Sequence, residues 1–227
     1  MRRTFALALF FVLGLGSVAA PRAARAADTG TKSIGTIQQF LKIRTPGAPT
    51  ILPDGSLLLR DWPDGVNQLY RVTPKGAGAA ASYEPANTTS VKLTDYADGL
   101  SGFSVSPDGK RVVLMHARGG NENTQLTLLD PVTGGTSPIL ANPKVQASLN
   151  TWFEDGSAFI YSANDASPND FYLYRWDFAG GKATRLLGEP GAWGASDVTR
   201  DGARGLVQQF VLAWDVKCRE LDVATGK

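Results

Sequence analysis

The chain has 227 residues, of which 43% are hydrophobic and 19% are charged, and its formal net charge is +2. Residues 1–26 hold four arginines and no acidic residue, so the remainder of the chain has a net charge of −2. This balance argues against nucleic-acid binding, which needs a retained basic surface. The length is sufficient for one sizeable hydrophobic core.

Residues 1–26 have the pattern of a cleaved signal peptide. A basic start, Met1–Arg3, precedes the apolar run Thr4–Val18, and Ala24-Arg25-Ala26 then provides the small-x-small site of a signal peptidase. We therefore predict cleavage after Ala26 and a periplasmic or secreted protein. About 20 apolar residues are needed to cross a bilayer, so the run is too short for a membrane span. No cysteine lies near the cleavage site, which disfavours a lipid anchor.

Residues 27–48 form the predicted N-terminal segment. Apolar residues at helical spacing predict a short helix over Ile34–Ile43. Such a helix either packs on the rim of the domain that follows or takes part in closing it.

Residues 49–227 contain a unit that repeats four times. Its anchor is an Asp-Gly pair, and successive pairs are 54, 47 and 46 residues apart. The pairs are Asp54-Gly55, Asp108-Gly109, Asp155-Gly156 and Asp201-Gly202. In a tight turn, aspartate suits the third position and glycine accepts the left-handed conformation that forms a hairpin. Strand-like runs surround each pair, and a period of about 40–50 residues is typical of propellers. The sequence therefore predicts an all-β fold, a partial β-propeller of about four four-stranded blades.

The last predicted blade is incomplete. The run Leu221–Lys227 matches Leu129–Gly134, which in the second blade precedes a fourth strand. An open sheet edge invites pairing with other chains, so we expect the chain to self-associate through this blade. Two interpretations remain open: the chain is part of a longer protein, or four blades close with help from residues 34–44.

The single cysteine and the five tryptophans lie in positions typical of packing residues. Cys218 is the only cysteine, so no intrachain disulfide exists. It lies in a strand-like run, and we interpret it as a small buried hydrophobic residue. The tryptophans are likewise interpreted as packing residues rather than a stacking platform: Trp62, Trp152, Trp176, Trp193 and Trp214.

No catalytic, cofactor-binding or metal-binding residue is predicted, and binding residues stay unassigned. A serine nucleophile needs a base within hydrogen-bond reach. The chain has no Gly-x-Ser-x-Gly, since Gly99-Leu100-Ser101-Gly102 has the wrong spacing. Its one histidine, His116, ends a predicted strand and is interpreted as a core or rim residue. Asn164-Asp165 and Asn169-Asp170 lack the spacing of a calcium loop and are interpreted as loop formers.

The second blade carries a family resemblance. Ser106-Pro107-Asp108-Gly109-Lys110, with the later run Leu126–Gly134, resembles the repeats of TolB-like propellers and of the N-terminal propeller of the prolyl oligopeptidase family, the dipeptidyl- and acylaminoacyl-peptidases. Further stretches favour the peptidase family: Asp61–Tyr70, Gly119–Gln125, Ile160–Asp165 and Phe171–Arg175. The resemblance covers about residues 36–227.

The resemblance implies a role without catalysis in this chain. In the peptidase family the propeller caps a separate α/β-hydrolase domain, which carries Ser, Asp and His, and restricts access to small peptides. No position of this chain matches that catalytic domain, so no catalytic residue is carried over. The expected function is the substrate-gating propeller of a secreted serine peptidase, with a C-terminal hydrolase domain as partner and peptides as substrates. The alternative is a TolB-like periplasmic scaffold that binds another protein.

Overall fold

Strands dominate the computed structural model, which describes residues 36–41, 43, 46–76 and 82–227. The predicted signal peptide and its cleavage site lie outside the described residues. The chain divides into two units, residues 1–41 and 42–227. In the first unit, the short helix α1 spans Ile37–Leu41, within the predicted helical segment. The second unit contains all the strands.

Fifteen strands of the described chain form four antiparallel sheets, each a meander in which consecutive strands pair. Sheet 1 contains β1 (Gly47–Ile51), β2 (Leu57–Asp61), β3 (Gln68–Pro74) and β4 (Thr88–Lys92). Sheet 2 contains β5 (Gly102–Val105), β6 (Val112–His116), β7 (Gln125–Leu129) and β8 (Thr136–Leu140). Sheet 3 contains β9 (Ala147–Trp152), β10 (Ala158–Ala163), β11 (Tyr172–Asp177) and β12 (Lys182–Leu187). Sheet 4 contains β13 (Ala192–Val198), β14 (Arg204–Leu212) and β15 (Asp215–Asp222). The predicted partial propeller with an incomplete last blade is confirmed.

The four Asp-Gly pairs form the turns between the first two strands of each sheet. In sheet 1 the Gly55 N–H donates to the Leu52 carbonyl over 2.9 Å, and Gly55 has a φ of 80°. The Asp54 carboxylate accepts hydrogen bonds from the Ser56 N–H and hydroxyl, at 3.0 and 2.6 Å. Left-handed backbone suits glycine, and the carboxylate supports the turn beside it. The repeated turn therefore follows directly from the local sequence.

The fourth strand of sheet 1, β4, spans Thr88–Lys92, and side-chain hydrogen bonds follow its end. The buried Thr94 hydroxyl donates to Gln68 Oε1 over 2.7 Å and accepts from the Leu69 N–H over 2.9 Å. A side chain thus replaces the next rung of the backbone ladder, so the strand ends before Thr94.

Each pair of adjacent sheets encloses a separate hydrophobic core. The core between sheets 1 and 2 includes Leu58, Leu69 and Leu114. The core between sheets 2 and 3 includes Leu126 and Phe159, and the third, between sheets 3 and 4, includes Ile160 and Leu173. Among the described residues, no core joins sheet 4 back to sheet 1. The sheets therefore form an open series.

The repeat places equivalent residues on one face of every sheet. We call the face towards the next sheet in the chain the downstream face and the opposite one the upstream face. Strand pairing defines two downstream positions, one on each of the two middle strands of a sheet. The first position holds Leu58, Val113, Ile160 and Leu206, and the second holds Leu69, Leu126, Leu173 and Cys218. All six members in sheets 1 to 3 are fully buried.

The interpretation of Cys218 as a buried residue is wrong. It is exposed, and Leu206, the other downstream residue of sheet 4, is 46% exposed. The cause lies in the surroundings rather than in the strand, because no described sheet covers the downstream face of sheet 4. The sequence position is that of a core residue, and the missing neighbour leaves it in solvent.

Candidate functional site

A cleft of about 520 Å³ opens where the loops of sheet 2 meet the connection from sheet 1. Its walls come from the end of β6, the start of β7, the end of β8 and the segment between β4 and β5. Residues with polar or charged side chains in the lining are Asp95, Tyr96, Asp98, His116, Arg118, Gln125 and Thr127. We call this the Tyr96–His116 cleft. Concave sites with a few polar groups are where proteins commonly bind small molecules or short peptide segments.

His116 and Tyr96 form the central wall of the cleft. Their rings stack with centroids 4.1 Å apart and an interplanar angle of 20°, and His116 Nε2 lies 3.0 Å from the Thr127 hydroxyl oxygen. Burial lowers the pKa of His116 below 6.5 and raises the pKa of Tyr96 above 10.0. Both rings are therefore neutral at neutral pH, and they present a flat, uncharged surface.

Charged groups lie at the rim of the cleft. Asp98 accepts a hydrogen bond from the Gly119 N–H over 2.8 Å, which holds the loop after β6 against the connection from sheet 1. Asp95 pairs with Lys92 at 2.5 Å. Arg118 lines the cleft and is exposed. The rim thus carries both negative and positive side chains around an uncharged wall. Such a surface suits a polar ligand without a large net charge.

The surroundings of His116 do not form a catalytic triad. Within the described part of the chain, no serine hydroxyl and no carboxylate is hydrogen-bonded to His116, whose partners are Tyr96 and Thr127. Acyl transfer needs a nucleophile, a base and an oxyanion hole together. The described residues therefore bring no serine nucleophile to His116, which lies at the end of β6 in the wall of the cleft.

The first Asn-Asp pair of sheet 3, Asn164-Asp165, uses side-chain oxygens within the fold. Asp165 Oδ1 accepts from the Tyr174 hydroxyl over 2.6 Å, and Asn164 Oδ1 accepts from the Gln146 N–H over 2.7 Å. A search of the described residues finds no group of three or more His, Cys, Asp or Glu side chains placed to hold a metal ion. Asn164 and Asp165 thus connect the loop after β10 to neighbouring segments of sheet 3.

An apolar hairpin is the second candidate surface. Strands β14 and β15 have 9 and 8 residues, longer than the middle strands of the other sheets, and a two-residue turn joins them. We call residues 210–216 the sheet-4 hairpin. Its exposed residues include Phe210, Val211, Leu212 and Trp214. Trp214 is 99% exposed, so its interpretation as a packing residue is wrong.

The sequence contained one signal for this hairpin. Sheets 2 and 3 have polar loops of eight residues between their middle strands, at residues 117–124 and 164–171. In sheet 4 the turn between the middle strands contains only Ala213 and Trp214. Its apolar residues lengthen both strands beyond the point where the middle strands of sheets 2 and 3 end. Clusters of exposed apolar side chains often mark interaction surfaces.

No helix in the described residues has the length and apolar character that crossing a membrane would require. No family model matches the sequence, and no curated protein matches it.

Solved propeller structures do match the fold. TolB from Acinetobacter baumannii is 20% identical with a TM-score of 0.54, and the match covers 81% of this chain and 42% of that protein. A putative TolB from Agrobacterium tumefaciens is 21% identical with a TM-score of 0.56, covering 81% and 60%. Prolyl oligopeptidase B from Galerina marginata, solved with a 35-residue hydrolysis and macrocyclization substrate, is 18% identical with a TM-score of 0.57, covering 82% and 30%.

These likenesses establish the class of fold. The chain is a partial β-propeller of the kind found in TolB and in prolyl oligopeptidases. It spans less than two thirds of the length of each of these proteins. Prolyl oligopeptidase B, of which the match covers 30%, extends well beyond the part that this propeller matches.

Proposed function

We propose that this chain is the non-catalytic propeller portion of an exported serine peptidase of the prolyl oligopeptidase type. In this role it restricts the access of peptides to a separate α/β-hydrolase domain. The chain contributes shape and peptide contacts, and the hydrolase domain contributes the nucleophile, base and acid.

The uncovered outer faces of sheets 1 and 4 carry this proposal. Both have the apolar character of faces that are buried between sheets, and a propeller protects such faces by adding blades until its ring closes. Ile51 on sheet 1 is 69% exposed, and Leu206 on sheet 4 has a position that is fully buried in the other three sheets. Further sheets would cover both faces, and the peptidases that share the fold have chains long enough to provide them.

The Tyr96–His116 cleft supports a role in peptide handling. A neutral stacked pair flanked by Asp98 and Arg118 can hold a peptide backbone and tolerate different side chains. Such weak, general contacts suit a gate, because a gate must release each peptide again.

The test is to recover the native polypeptide from the cells that produce it. An antibody against this chain is used to isolate the protein, which is then treated with a serine-directed fluorophosphonate. Mass spectrometry measures the mass of the labelled polypeptide. We expect a labelled polypeptide well above the 24.1 kDa of this chain, with peptide-hydrolysing activity. The chain alone, purified in parallel, should take up no label. Absence of label on the native polypeptide contradicts the proposal, as does labelling of the chain alone that His116→Ala abolishes.

A TolB-like scaffold that binds another protein is the second candidate function. The sheet-4 hairpin favours it, since Trp214 projects almost fully into solvent. A photoreactive amino acid at position 214 should then give a discrete cross-linked adduct in cells. The matched control is the same amino acid at Thr184, which is exposed on the outer strand of sheet 3. Equal adducts at both positions would contradict a specific docking role.

We also propose export through the leader. The basic start, the apolar run and Ala24-Arg25-Ala26 support it. N-terminal sequencing of the exported protein should begin Ala27-Asp28-Thr29. Retention of Thr4–Val18 in the isolated protein would contradict export by signal cleavage.

A further inference from the structure

Glutamines begin the third strands of both sheet 1 and sheet 2, Gln68 on β3 and Gln125 on β7. The side-chain amide of Gln68 is paired at both ends within sheet 1. Its Nε2 donates to the Tyr96 carbonyl over 2.6 Å. Its Oε1 accepts from the Thr94 hydroxyl over 2.7 Å and from the Tyr96 N–H over 3.1 Å. The segment after β4 thus satisfies this buried amide completely.

The amide of Gln125 in sheet 2 is paired at one end only. Its Nε2 donates to the carbonyls of Asn123 and Val145, each over 2.9 Å. Its Oε1 is buried and has no hydrogen-bond partner among the described residues. A buried acceptor without a partner is costly, so a donor that reaches it is favoured.

The segments that follow the outer strands of the two sheets can be matched residue by residue. One runs from Leu93 to Leu100 and the other from Leu140 to Ala147, a step of seven residues in each case. Leu93 and Leu140 lie opposite the residue after the glutamine. The N–H groups of Leu100 and Ala147 donate to the carbonyl of the residue before it. Both ends of the segments therefore have the same register.

This register shows why the acceptor of sheet 2 has no donor. Ala141 matches Thr94 and has no hydroxyl, and Pro143 matches Tyr96 and has no N–H. Both donors of sheet 1 are therefore lost in sheet 2. Ala141, Pro143 and Gln125 all line the Tyr96–His116 cleft. The hydrogen bonds that sheet 1 makes with its own chain are thus left to a group that enters the cleft.

We propose that the Tyr96–His116 cleft binds a short peptide segment whose main-chain N–H donates to Gln125 Oε1. This inference rests on the proposed function, which makes peptides the ligands of the chain, and it names the atom that recognises them. In sheet 1 a main-chain N–H makes the equivalent hydrogen bond to Gln68. The Gln125 side chain as a whole is partly exposed, and the terminal torsion of glutamine is soft, so a modest rotation brings Oε1 to the cleft surface.

The rest of the cleft suits the same ligand. Its volume of about 520 Å³ lies in the range of sites that hold small ligands. The neutral, stacked rings of Tyr96 and His116 offer a surface for an apolar side chain of the peptide. Because recognition uses the main chain, the site accepts many side chains. Proline, which has no N–H, is excluded at the position that meets Gln125.

A titration with uncharged peptides tests the main-chain contact. The probe is acetyl-Ala-Ala-Phe-Ala-amide, added to the purified full chain. His116 is the only histidine and lines the cleft, so its ring signals in NMR spectra report binding there. We expect a saturable shift with a Kd of about 1 mM or tighter. Four further peptides each carry one N-methyl group on a different main-chain nitrogen, and one of them should bind about 10-fold more weakly. No shift with any peptide, or equal binding of all five, overturns the proposal.

Variants at position 141 connect this effect to Gln125. Ala141→Thr introduces the hydroxyl that sheet 1 has at Thr94, and filling the acceptor from within the chain should weaken probe binding about 10-fold relative to Ala141→Val. Valine has the same shape as threonine without the hydroxyl. Ala183→Thr, on the exposed outer strand of sheet 3, is the control that should bind like the unmodified chain. Equal binding by the two position-141 variants would show that Oε1 is not the recognising atom.

Gln125→Leu provides a second readout. It removes the acceptor, so the N-methylated peptide that binds weakly to the unmodified chain should bind this variant as well as the unmethylated probe does. A remaining difference between the two peptides would contradict the assignment of Gln125.

A neutral oligosaccharide is the competing ligand, because its hydroxyls donate hydrogen bonds and its rings stack on aromatic side chains. Maltotetraose is therefore titrated in parallel, and binding of the sugar without binding of the peptide overturns the proposal. The fluorophosphonate experiment gives a separate answer. A native polypeptide that takes up label while the chain binds no peptide leaves the peptidase function in place. An unlabelled polypeptide whose chain binds the probe leaves the peptide site in place.

Discussion

Sheets 3 and 4 carry the same repeat but differ in what surrounds them. All six residues of β10 in sheet 3 are buried, because sheet 2 covers one face and sheet 4 the other. The equivalent strand β14 in sheet 4 alternates at its start between exposed and buried residues, and its last three residues are exposed. Ile160 and Leu206 have the same register position, yet one is fully buried and the other is 46% exposed.

This difference shows that burial in a repeat protein depends on neighbours as much as on the repeat itself. Each repeat contributes half of an interface and obtains the other half from the next repeat. The middle sheets are therefore stabilised on two sides. Sheet 4 is stabilised through its upstream face by residues such as Trp193, Val207 and Leu221.

The largest expected effect is a difference in unfolding free energy between substitutions at two equivalent apolar residues, Ile160 and Leu206. Ile160→Ala should lower the free energy of unfolding by about 2–5 kcal/mol, because it leaves a cavity between covered sheets. Leu206→Ala should lower it by less than about 1 kcal/mol in dilute protein, since water already contacts this side chain. Urea unfolding followed by circular dichroism measures both. Equal losses would mean that sheet 4 is covered in solution even when the protein is dilute.

A smaller effect compares two glycines of sheet 2. Gly109 and Gly134 have φ values of 70° and 74°, so alanine at either position costs about 1–2 kcal/mol in backbone strain. A Cβ on Gly109 would also lie 2.3 Å from Pro53 of sheet 1, whereas one on Gly134 would meet open space. Gly109→Ala should therefore cost at least about 1 kcal/mol more than Gly134→Ala in urea unfolding. Similar costs would show that the Asp-Gly turns of sheets 1 and 2 move apart freely.

A further effect concerns acid and the aspartates of the repeated turns. Burial alone would raise the pKa of Asp108, but hydrogen bonds from the Ser106 hydroxyl and the Lys110 N–H lower it below 3.8. The Thr199 hydroxyl and the Ala203 N–H lower the pKa of Asp201 in the same sense. The folded state thus binds fewer protons than the unfolded chain, so stability is complete well above pH 3.8 and falls as the pH drops through and below that value.

Urea midpoints at pH 7 and pH 3 measure this loss. Asp108→Asn and Asp201→Asn keep an oxygen acceptor in the turn and should each reduce the difference between the two pH values. The sheet-2 substitution also has a cost at pH 7, because it removes the charge that Asp108 pairs with Arg111 at 3.4 Å. An unchanged difference in both variants would show that other carboxylates cause the acid sensitivity.

The smallest effect is a shift in one titration. His116 is the only histidine, so its ring signals are unambiguous in NMR spectra. Burial beside Tyr96 should give it a pKa below 6.5, and Tyr96→Ala should move that pKa up towards 6.5 by admitting water. Because the folded pKa is depressed, protonation destabilises the fold as the pH falls through 6.5 towards the folded value. A pKa above 6.5 in the unmodified protein would contradict the stacked, half-buried geometry.

Most of the fold could be predicted because its signals are local. Each Asp-Gly turn depends on a few consecutive residues, as Asp54, Gly55 and Ser56 show, and these residues specify the hairpin wherever the strands pack. The candidate site was less accessible to prediction. The stacking of Tyr96 on His116 joins the connection from sheet 1 to the end of β6, and no sequence period links these two residues.

The sequence by itself determined the four turns, the order of the strands and the residues that each sheet offers to its neighbours, because these depend on backbone geometry and alternation along a strand. Only the tertiary structure decided which of those residues are buried. Cys218 has the position of Leu126 and Leu173, and Trp214 lies in the turn that joins two apolar strand ends, yet both are exposed. The physical reason is that a side chain is buried only when a second surface covers it. The sequence of one strand does not specify whether a neighbouring sheet is there to do so.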